Sequence, residues 1–426
     1  MRSNQLKRVN RFLKRSYKRR HWDLCAGVTD PRARRGRRWS LRALVGAAFA
    51  GMLCAVRSLR AVEDLTALMA GASQRGFGFG RRVPDSTLEP VVRRLDPEEL
   101  RARLRAQVRS LQRAKALEER DLPLGLAAID GKCIYSGRRR VHPACQRQQE
   151  DGRPPRYLLR VLRAALISSP TKVCLDQVHI PAETNERGAF DAFWQTLVSA
   201  YGRSGLFEAV SLDAGFACKQ LCGDIDQSGY GYIVGLKENQ PELLREAQAH
   251  FQERIVPLEG ATPEPPEVET AWERYQGRRI KRQLWRSTAL AGWHDWDHLR
   301  QVWLVRQVTE HPDGRVETED HYRLTNLVWG RLKGPEVLAV VRAHWGIENC
   351  LNWTTDVQWG EDQRAWAYAD NALLVLGLLR LMAFNVLQVL FKRHLKAARY
   401  RRLRWAQRFR RVELALLQPA PRRAAS

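Results

Sequence analysis

Acidic residues are nearly missing from both ends of this chain. Residues 1–42 hold 15 Lys/Arg against 2 Asp, and residues 391–426 hold 12 against 1 Glu. Those two arms carry 24 of the 26 excess positive charges, which leaves residues 43–390 nearly balanced at +2. Such an imbalance fits a polyanion, DNA or RNA, bound by salt-sensitive phosphate neutralisation. Cysteine is sparse. Its eight positions (25, 54, 133, 145, 174, 218, 222 and 350) include one close pair, Cys218 and Cys222, with no second pair and no nearby His. That spacing argues against a zinc site. With no secretory signal, the thiols read as free in a reducing cytoplasm. Long uninterrupted apolar runs are lacking as well. Residues 43–56 are too short to span a bilayer, and 372–391 are broken by Arg380, Asn385 and Gln388. Both read as buried helices, and no membrane association is expected. No internal repeat is present.

What remains is a chain of 426 residues, 44% hydrophobic, long enough for at least two globular domains. Residues 1–42 mostly lack apolar periodicity. From Ser40 to about Gly71 the pattern is helical, with Ser40 as N-cap and Gly71 as stop. Two more helices follow from Pro84, the second opening on Asp96 with Glu99 three residues on, the spacing of a capping box. Residues 1–120 thus read as a basic, all-helical, DNA-binding domain. From about Leu122 the period changes. Strands are expected at LGLAAID, 157–169 and 172–180, then a helix at 185–202 and a strand at 206–214. A helix at 216–229, a strand at 230–237 and a helix from Pro241 complete the run. This is a mixed α/β sheet in a ribonuclease H-like order. Residues 255–330 open Pro-rich and continue as strands, with a hairpin at Asp313–Gly314, so they read as a β-rich insertion. The expected domains are therefore 1–120, 121–254 (first part of the core), 255–330 (insertion), 331–392 (last part of the core) and 393–426 (basic arm).

Three acids stand out. Asp130 and Asp213 each end an apolar strand-like run, and Glu348 lies in the helical segment AVVRAHWGIENCLNWTTDV. Two strand-end Asp and one helix Glu supply the hard oxygen ligands that two-metal phosphoryl transfer needs. Glu348 belongs to a polar stripe of His344, Glu348, Asn352 and Thr355 on a helix otherwise expected to pack down through Trp345, Ile347 and Leu351. Other acids compete: Asp356, Glu361 and Asp362 follow closely, and Asp224, Asp226 and Glu238 lie near the second strand region. Spacing alone leaves Asp356 open as the third ligand. Trp285 and Trp303 in the insertion read as buried strand residues first and as base-stacking groups second.

The segments AAIDGK, SLDAG, GYIVGLKENQP and RAHWGIENCLNWTTDVQWGEDQRAW, followed by NALLVLGLLRLMAFNVL, resemble bacterial insertion-sequence transposases. The similarity is closest to the group that includes the H-repeat-associated proteins, and it covers roughly residues 25–392. It implies a DDE transposase with a ribonuclease H-like core interrupted by a β-rich insertion. It also implies that Asp130, Asp213 and Glu348 form the catalytic, metal-binding triad. The chain departs from the wider superfamily, which carries a Tyr and an Arg before this Glu and a Lys after it. Here those positions hold Val341, His344 and Thr355. The expected activity is metal-dependent DNA strand cleavage and strand transfer with two Mg²⁺ ions, Mn²⁺ substituting. Expected partners are the terminal inverted repeats, target DNA and a second copy of the chain on DNA, in the bacterial cytoplasm at the nucleoid. Lys132, Lys237, Asn239 and His344 are candidate DNA contacts. The alternatives are a domesticated transposase or nuclease that mobilises nothing, and a non-catalytic DNA-binding protein.

Overall fold

The computed structural model describes residues 3–18, 23–256, 262–395 and 397–418. The start of the Pro-rich stretch and the last eight residues of the basic arm therefore lie outside it. The chain forms two compact units. One comprises residues 1–119, 131–185 and 347–426, the other residues 120–130 and 186–346.

The first unit is built around the helix Ala372–Gln388, every residue of which is buried. By length and composition the stretch Ala372–His394 is apolar enough to cross a membrane, but its apolar window is wholly buried inside the protein. Its polar residues have buried partners. Asn385 accepts the Cys174 N–H (2.8 Å) and donates to the Cys174 carbonyl (2.9 Å) and to Gln107 Oε1 (3.2 Å). Helices Leu41–Leu53, Asp85–Arg94 and Pro97–Arg113 pack on it.

The helical pattern expected from Ser40 to Gly71 is interrupted. Ser40 does cap Leu41–Leu53 by accepting the Ala43 N–H. Ala55 then turns left-handed (φ 52°), and the Val56 N–H reaches back to the Gly51 carbonyl, a helix-ending arrangement. A second cap, Ser58, starts Leu59–Leu68. Gly71 opens a short helix, Gly71–Gly76, instead of ending one. The capping box at Asp96 is half made. Asp96 accepts the Glu98 N–H at 2.9 Å, while Glu99 binds the amide and hydroxyl of Thr29. Asp96→Ala is expected to lower stability by about 1 kcal/mol, measured by chemical denaturation; no change would mean that the Thr29 contact holds the helix start by itself.

Both basic arms contain packed helix. Ser3–Lys18 buries Val9, Leu13 and Tyr17, an i, i+4, i+8 stripe overlooked among the surrounding arginines. It packs on Trp405–Leu417, which buries Phe409, Val412, Ala415 and Leu416. The strands of this unit are the later part of β1 (Leu126–Gly137), β2 (Gln146–Gln148), β3 (Arg156–Leu166) and β4 (Val173–His179). β3 and β4 form the hairpin expected around Ser169–Thr171.

In the second unit, the start of β1 lies parallel to β5 (Ala209–Leu212), and β5 lies parallel to β6 (Gly231–Leu236). The following segment adds β7 (Val268–Glu269), β8 (Glu273–Tyr275), β9 (Arg278–Ser287), β10 (Gln301–Glu310) and β11 (Val316–Thr325). β9, β10 and β11 form an antiparallel meander whose last strand pairs with β6, so the β-rich segment extends the same sheet. Gly314 adopts φ +83° in the β10–β11 turn, as the Asp313–Gly314 signal requires. Trp285 and Trp303 are buried; their indole N–H groups donate to Glu264 O and Gln301 Oε1.

Candidate active site

In the second unit, the parallel register pairs Leu126 with Ala209 through to Ile129 with Leu212. The next residue on each chain is Asp130 and Asp213. Adjacent strands lie about 4.8 Å apart, and residues in parallel register share a face. The two carboxylates are thus brought side by side, and both residues are half-buried.

Asp130 does not end its strand. β1 continues through Gly131 to Gly137, because Lys132 and Ile134 turn inward with period two and give the strand a second buried side. Asp213 does end one. It keeps extended backbone (φ −69°, ψ 164°) and opens a single 3₁₀ turn, Ala214–Phe216.

The loop after Asp213 is clamped by the GLKENQP segment. A Cβ at Gly235 would lie 2.9 Å from the Ala214 amide nitrogen and 2.5 Å from Arg323 Nη1, so only glycine lets the strands approach this closely. Asn239 Nδ2 donates to the Ala214 carbonyl (2.8 Å) and the Ala217 carbonyl (3.2 Å), and Gln240 Nε2 donates to Ala217 O (2.9 Å). Asn239, a candidate for touching DNA, therefore spends its amide on this loop. Lys237 is exposed, and its charge acts on Asp213.

His344 is buried beneath Asp213. Its Nε2 lies 2.8 Å from Asp213 Oδ1 and its Nδ1 lies 2.9 Å from Ser211 Oγ. An ionised carboxylate only accepts, so Nε2 carries a proton toward Asp213, and Nδ1 shares the second hydrogen bond with the Ser211 hydroxyl. The His344 hydrogen bond holds the Asp213 carboxyl below its ordinary range. Burial opposes it, and the charges of Arg323 and Lys237 assist. Arg323 escaped the sequence reading because nothing local links β11 to Asp213.

In the first unit, Glu348 is half-buried in the first turn of a π-helical segment, Ile347–Asn352, which continues as Trp353–Trp359. Single π-turns inside α-helices occur often at functional sites. Ile347 and Leu351 are buried as expected, but Trp345, in the second unit, is 53% exposed.

Asn352 and Thr355 point into a buried ionic network. Its centre is Glu361, whose carboxylate receives two hydrogen bonds from Arg163 Nη2 (2.8 and 2.7 Å) and one from Arg380 Nη1 (2.9 Å). Lys132 Nζ is 3.5 Å from Glu361 and donates to Asp356 Oδ1 (2.6 Å), Thr355 Oγ1 (3.0 Å) and Asn352 O (3.1 Å). Arg163 Nη1 also reaches Asn352 Oδ1 (3.2 Å) and Thr355 Oγ1 (3.1 Å). Burial raises the Glu361 carboxyl, but Arg163, Lys132 and Arg380 outweigh it and hold the group far below the usual carboxylate range. At the outer Lys132–Asp356 pair burial prevails over mutual attraction, lowering the ammonium and raising the carboxyl.

Lys132, expected near DNA phosphate, is therefore buried with its ammonium engaged. Asp356, the competing third acid, is held by that ammonium. The network also suits a hydroxyl at Thr355: it accepts from both Lys132 and Arg163, where an ammonium would face two cations.

Among the described residues, no three His, Cys, Asp or Glu side chains are gathered as a metal-holding group. The Asp130–Asp213 pair is nevertheless an all-oxygen, partly exposed donor set, the kind that suits a hard divalent cation.

The family model described as "Transposase DDE domain" matches residues 126–386, more than half of the chain. No match was found among curated proteins. The chain belongs to the transposase DDE domain family, whose members act on DNA.

Proposed function

We propose that the chain is the transposase of a bacterial insertion sequence, of the group that includes the H-repeat-associated proteins, with a ribonuclease H-like core. It cuts DNA at the ends of its own element and joins them to target DNA. In this reading Asp130, Asp213 and Glu348 hold two Mg²⁺ ions, for which Mn²⁺ substitutes. The observation that carries the reading is the register of β1 and β5, which sets Asp130 beside Asp213 at the end of their parallel pairing.

Bound there, the ions supply an activated oxygen nucleophile and charge neutralisation on the phosphate in flight. The carboxylates orient an in-line displacement. A water oxygen forms a bond to phosphorus as the bond from phosphorus to the element's 3′ oxygen breaks, leaving a 3′-OH on the element and a 5′-phosphate on the flanking DNA. That hydroxyl then attacks a target phosphodiester in the same site, and one phosphorus–oxygen bond replaces another. No protein nucleophile takes part. His344 keeps Asp213 charged and aimed, and the Gly235 and Asn239 contacts fix the loop that follows it. Lys237 is exposed near Asp213 and is available to a phosphate. The chain works as a homodimer that pairs two ends.

The test is incubation with DNA carrying the sequences that flank the gene, in Mg²⁺ or Mn²⁺. Nicks with 3′-OH termini at the element ends, and joined products with target DNA, are expected. Binding without any nicking in either metal would favour the DNA-binding reading; nicking without joining would favour a nuclease.

A related expectation concerns His344. Removing a hydrogen-bonding support behind a metal-binding carboxylate typically weakens metal affinity about 10- to 100-fold. His344→Ala should therefore shift half-saturation by Mn²⁺ upward by that factor, in both cleavage and direct paramagnetic-resonance titration, with DNA affinity retained. An unchanged Mn²⁺ titration would remove His344 from this role.

A further inference from the structure

We propose that the ribbon tip formed by the end of β1, β2 and the start of β3 is a binding site for the DNA sugar-phosphate backbone, separate in sequence from both basic arms. The inference rests on the reading of the chain as a DNA-acting transposase.

Charge is the first observation. Residues 138–160 contain seven Arg against Glu150 and Asp151, a net of +5. Residues 43–390 total only +2, so the remainder of that long stretch is net −3. The near-neutrality of the body hides a third basic centre.

The fold gathers several of those charges on one solvent-facing surface. Along β3, Tyr157, Leu159 and Val161 alternate inward and join Ile134, Cys145, Leu373 and Leu374 in an apolar cluster. The opposite face of β3 carries Arg156, Leu158 and Arg160. Their register neighbours on β2 are Gln148, opposite Arg156, and Gln146, opposite Leu158. Leu158 is half-buried and Gln146 donates to the Thr184 carbonyl, while the Arg156 and Arg160 guanidinium groups of this face are donors suited to phosphate oxygens.

The tip is also shaped. A groove of about 430 Å³ is lined by Arg138, Gln148, Glu150, Arg153, Pro154 and Arg156. Arg153 pairs with Glu150 at 2.8 Å, an exposed contact that a phosphate can replace at little cost. Arg138, Arg139, Arg153 and Arg156 are all exposed. The backbone that presents them is tied down: Tyr135 Oη donates to the Arg139 carbonyl (2.9 Å), Arg140 Nη2 to the Pro143 carbonyl (2.7 Å), and Gln149 Nε2 to the Arg153 carbonyl (2.8 Å). Guanidinium groups on a fixed ribbon lose less freedom on binding than those on a loose arm.

The experiment compares the full-length protein with Arg138→Gln/Arg153→Gln/Arg156→Gln and with the same three positions changed to Lys. Binding to a 40-base-pair duplex carrying one element end is titrated across about 50–300 mM salt. Each lost phosphate contact removes about 0.9 from the slope of log affinity against log salt. The Gln variant is therefore expected to bind at least ~10-fold more weakly at low salt, with a slope about two to three smaller. The Lys variant, which keeps the charge, should retain most of both. Thermal melting of each variant establishes that it is folded. A folded Gln variant with wild-type affinity and slope overturns the ribbon site while leaving the transposase reading intact. Failure of the wild-type protein to bind the end at all overturns the reading beneath it.

Discussion

Replacing Asp130 or Asp213 with Asn is expected to lower metal-dependent DNA cleavage by on the order of 10³-fold or more, with binding to the element ends retained. Each substitution keeps the shape of the side chain and removes the charge that holds a hard cation. The strands should tolerate it: Asp130 lies within a β1 that extends seven residues further, and Asp213 sits in ordinary extended backbone. Because the acids act as one unit, the double variant should be scarcely worse than either single one. Single-turnover cleavage of a labelled end, alongside a binding titration, measures both quantities. Near-normal cleavage by either variant would mean that the acid pair at the end of the β1–β5 pairing is structural.

Glu361→Gln is expected to destabilise the first unit by about 3–5 kcal/mol, the usual cost of stranding buried charge. Arg163 and Arg380 are 0% and 3% exposed, and Lys132 is 6% exposed, so three cations would lose their shared partner. The same group predicts an acid limit. The folded Glu361 carboxyl is held far below its ordinary value of 4.5. Its contribution is therefore complete above that pH and is lost progressively as the pH falls below it, as the unfolded chain takes up the proton first. Urea unfolding followed by circular dichroism, at neutral pH and at several acidic values, checks both statements. A loss under about 1 kcal/mol, or an unchanged acid limit in the variant, would show that the network contributes little. The outcome bears on function because Asn352 and Thr355, four and seven residues beyond Glu348, are hydrogen-bonded into this network.

The sequence announced those regions whose signal is local. The β3–β4 hairpin, the Asp313–Gly314 turn and the alternation of strand and helix from β5 to the helix Pro241–Ile255 all follow from short-range periodicity. So does the burial of Ile347 and Leu351. Boundaries were less legible. Gly131 looked like the end of β1, yet the inward alternation of Lys132 and Ile134 carries the strand on. A stretch of helix-forming residues concealed the left-handed Ala55, because the second cap, Ser58, lies inside an otherwise continuous helical pattern. The arginine-rich first segment hid the Val9, Leu13, Tyr17 stripe, since charge dominates any average taken over it.

Side-chain partners were the least legible part. A lysine two residues after a catalytic candidate invites a phosphate-binding role; its burial against Asp356 depends on a pairing across 224 residues. His344 and the charge of Arg323 reach Asp213, and Ser211 reaches His344, only because β11, the end of the helix Gly334–Ala343 and β5 converge in the fold. What the resemblance added was the choice of Glu348 among the nearby acids, and that choice is the one most in need of a direct test.

The central claim is that Glu348 is a metal ligand together with Asp130 and Asp213. Glu348→Cys tests it, because a thiolate binds Mg²⁺ poorly and accepts softer ions more readily. The variant should bind the element ends normally, fail to cleave in Mg²⁺ and recover cleavage in Mn²⁺. Undiminished cleavage in Mg²⁺ by Glu348→Cys, with loss and Mn²⁺ recovery appearing instead in Asp356→Cys, would contradict the account and move the third ligand to Asp356.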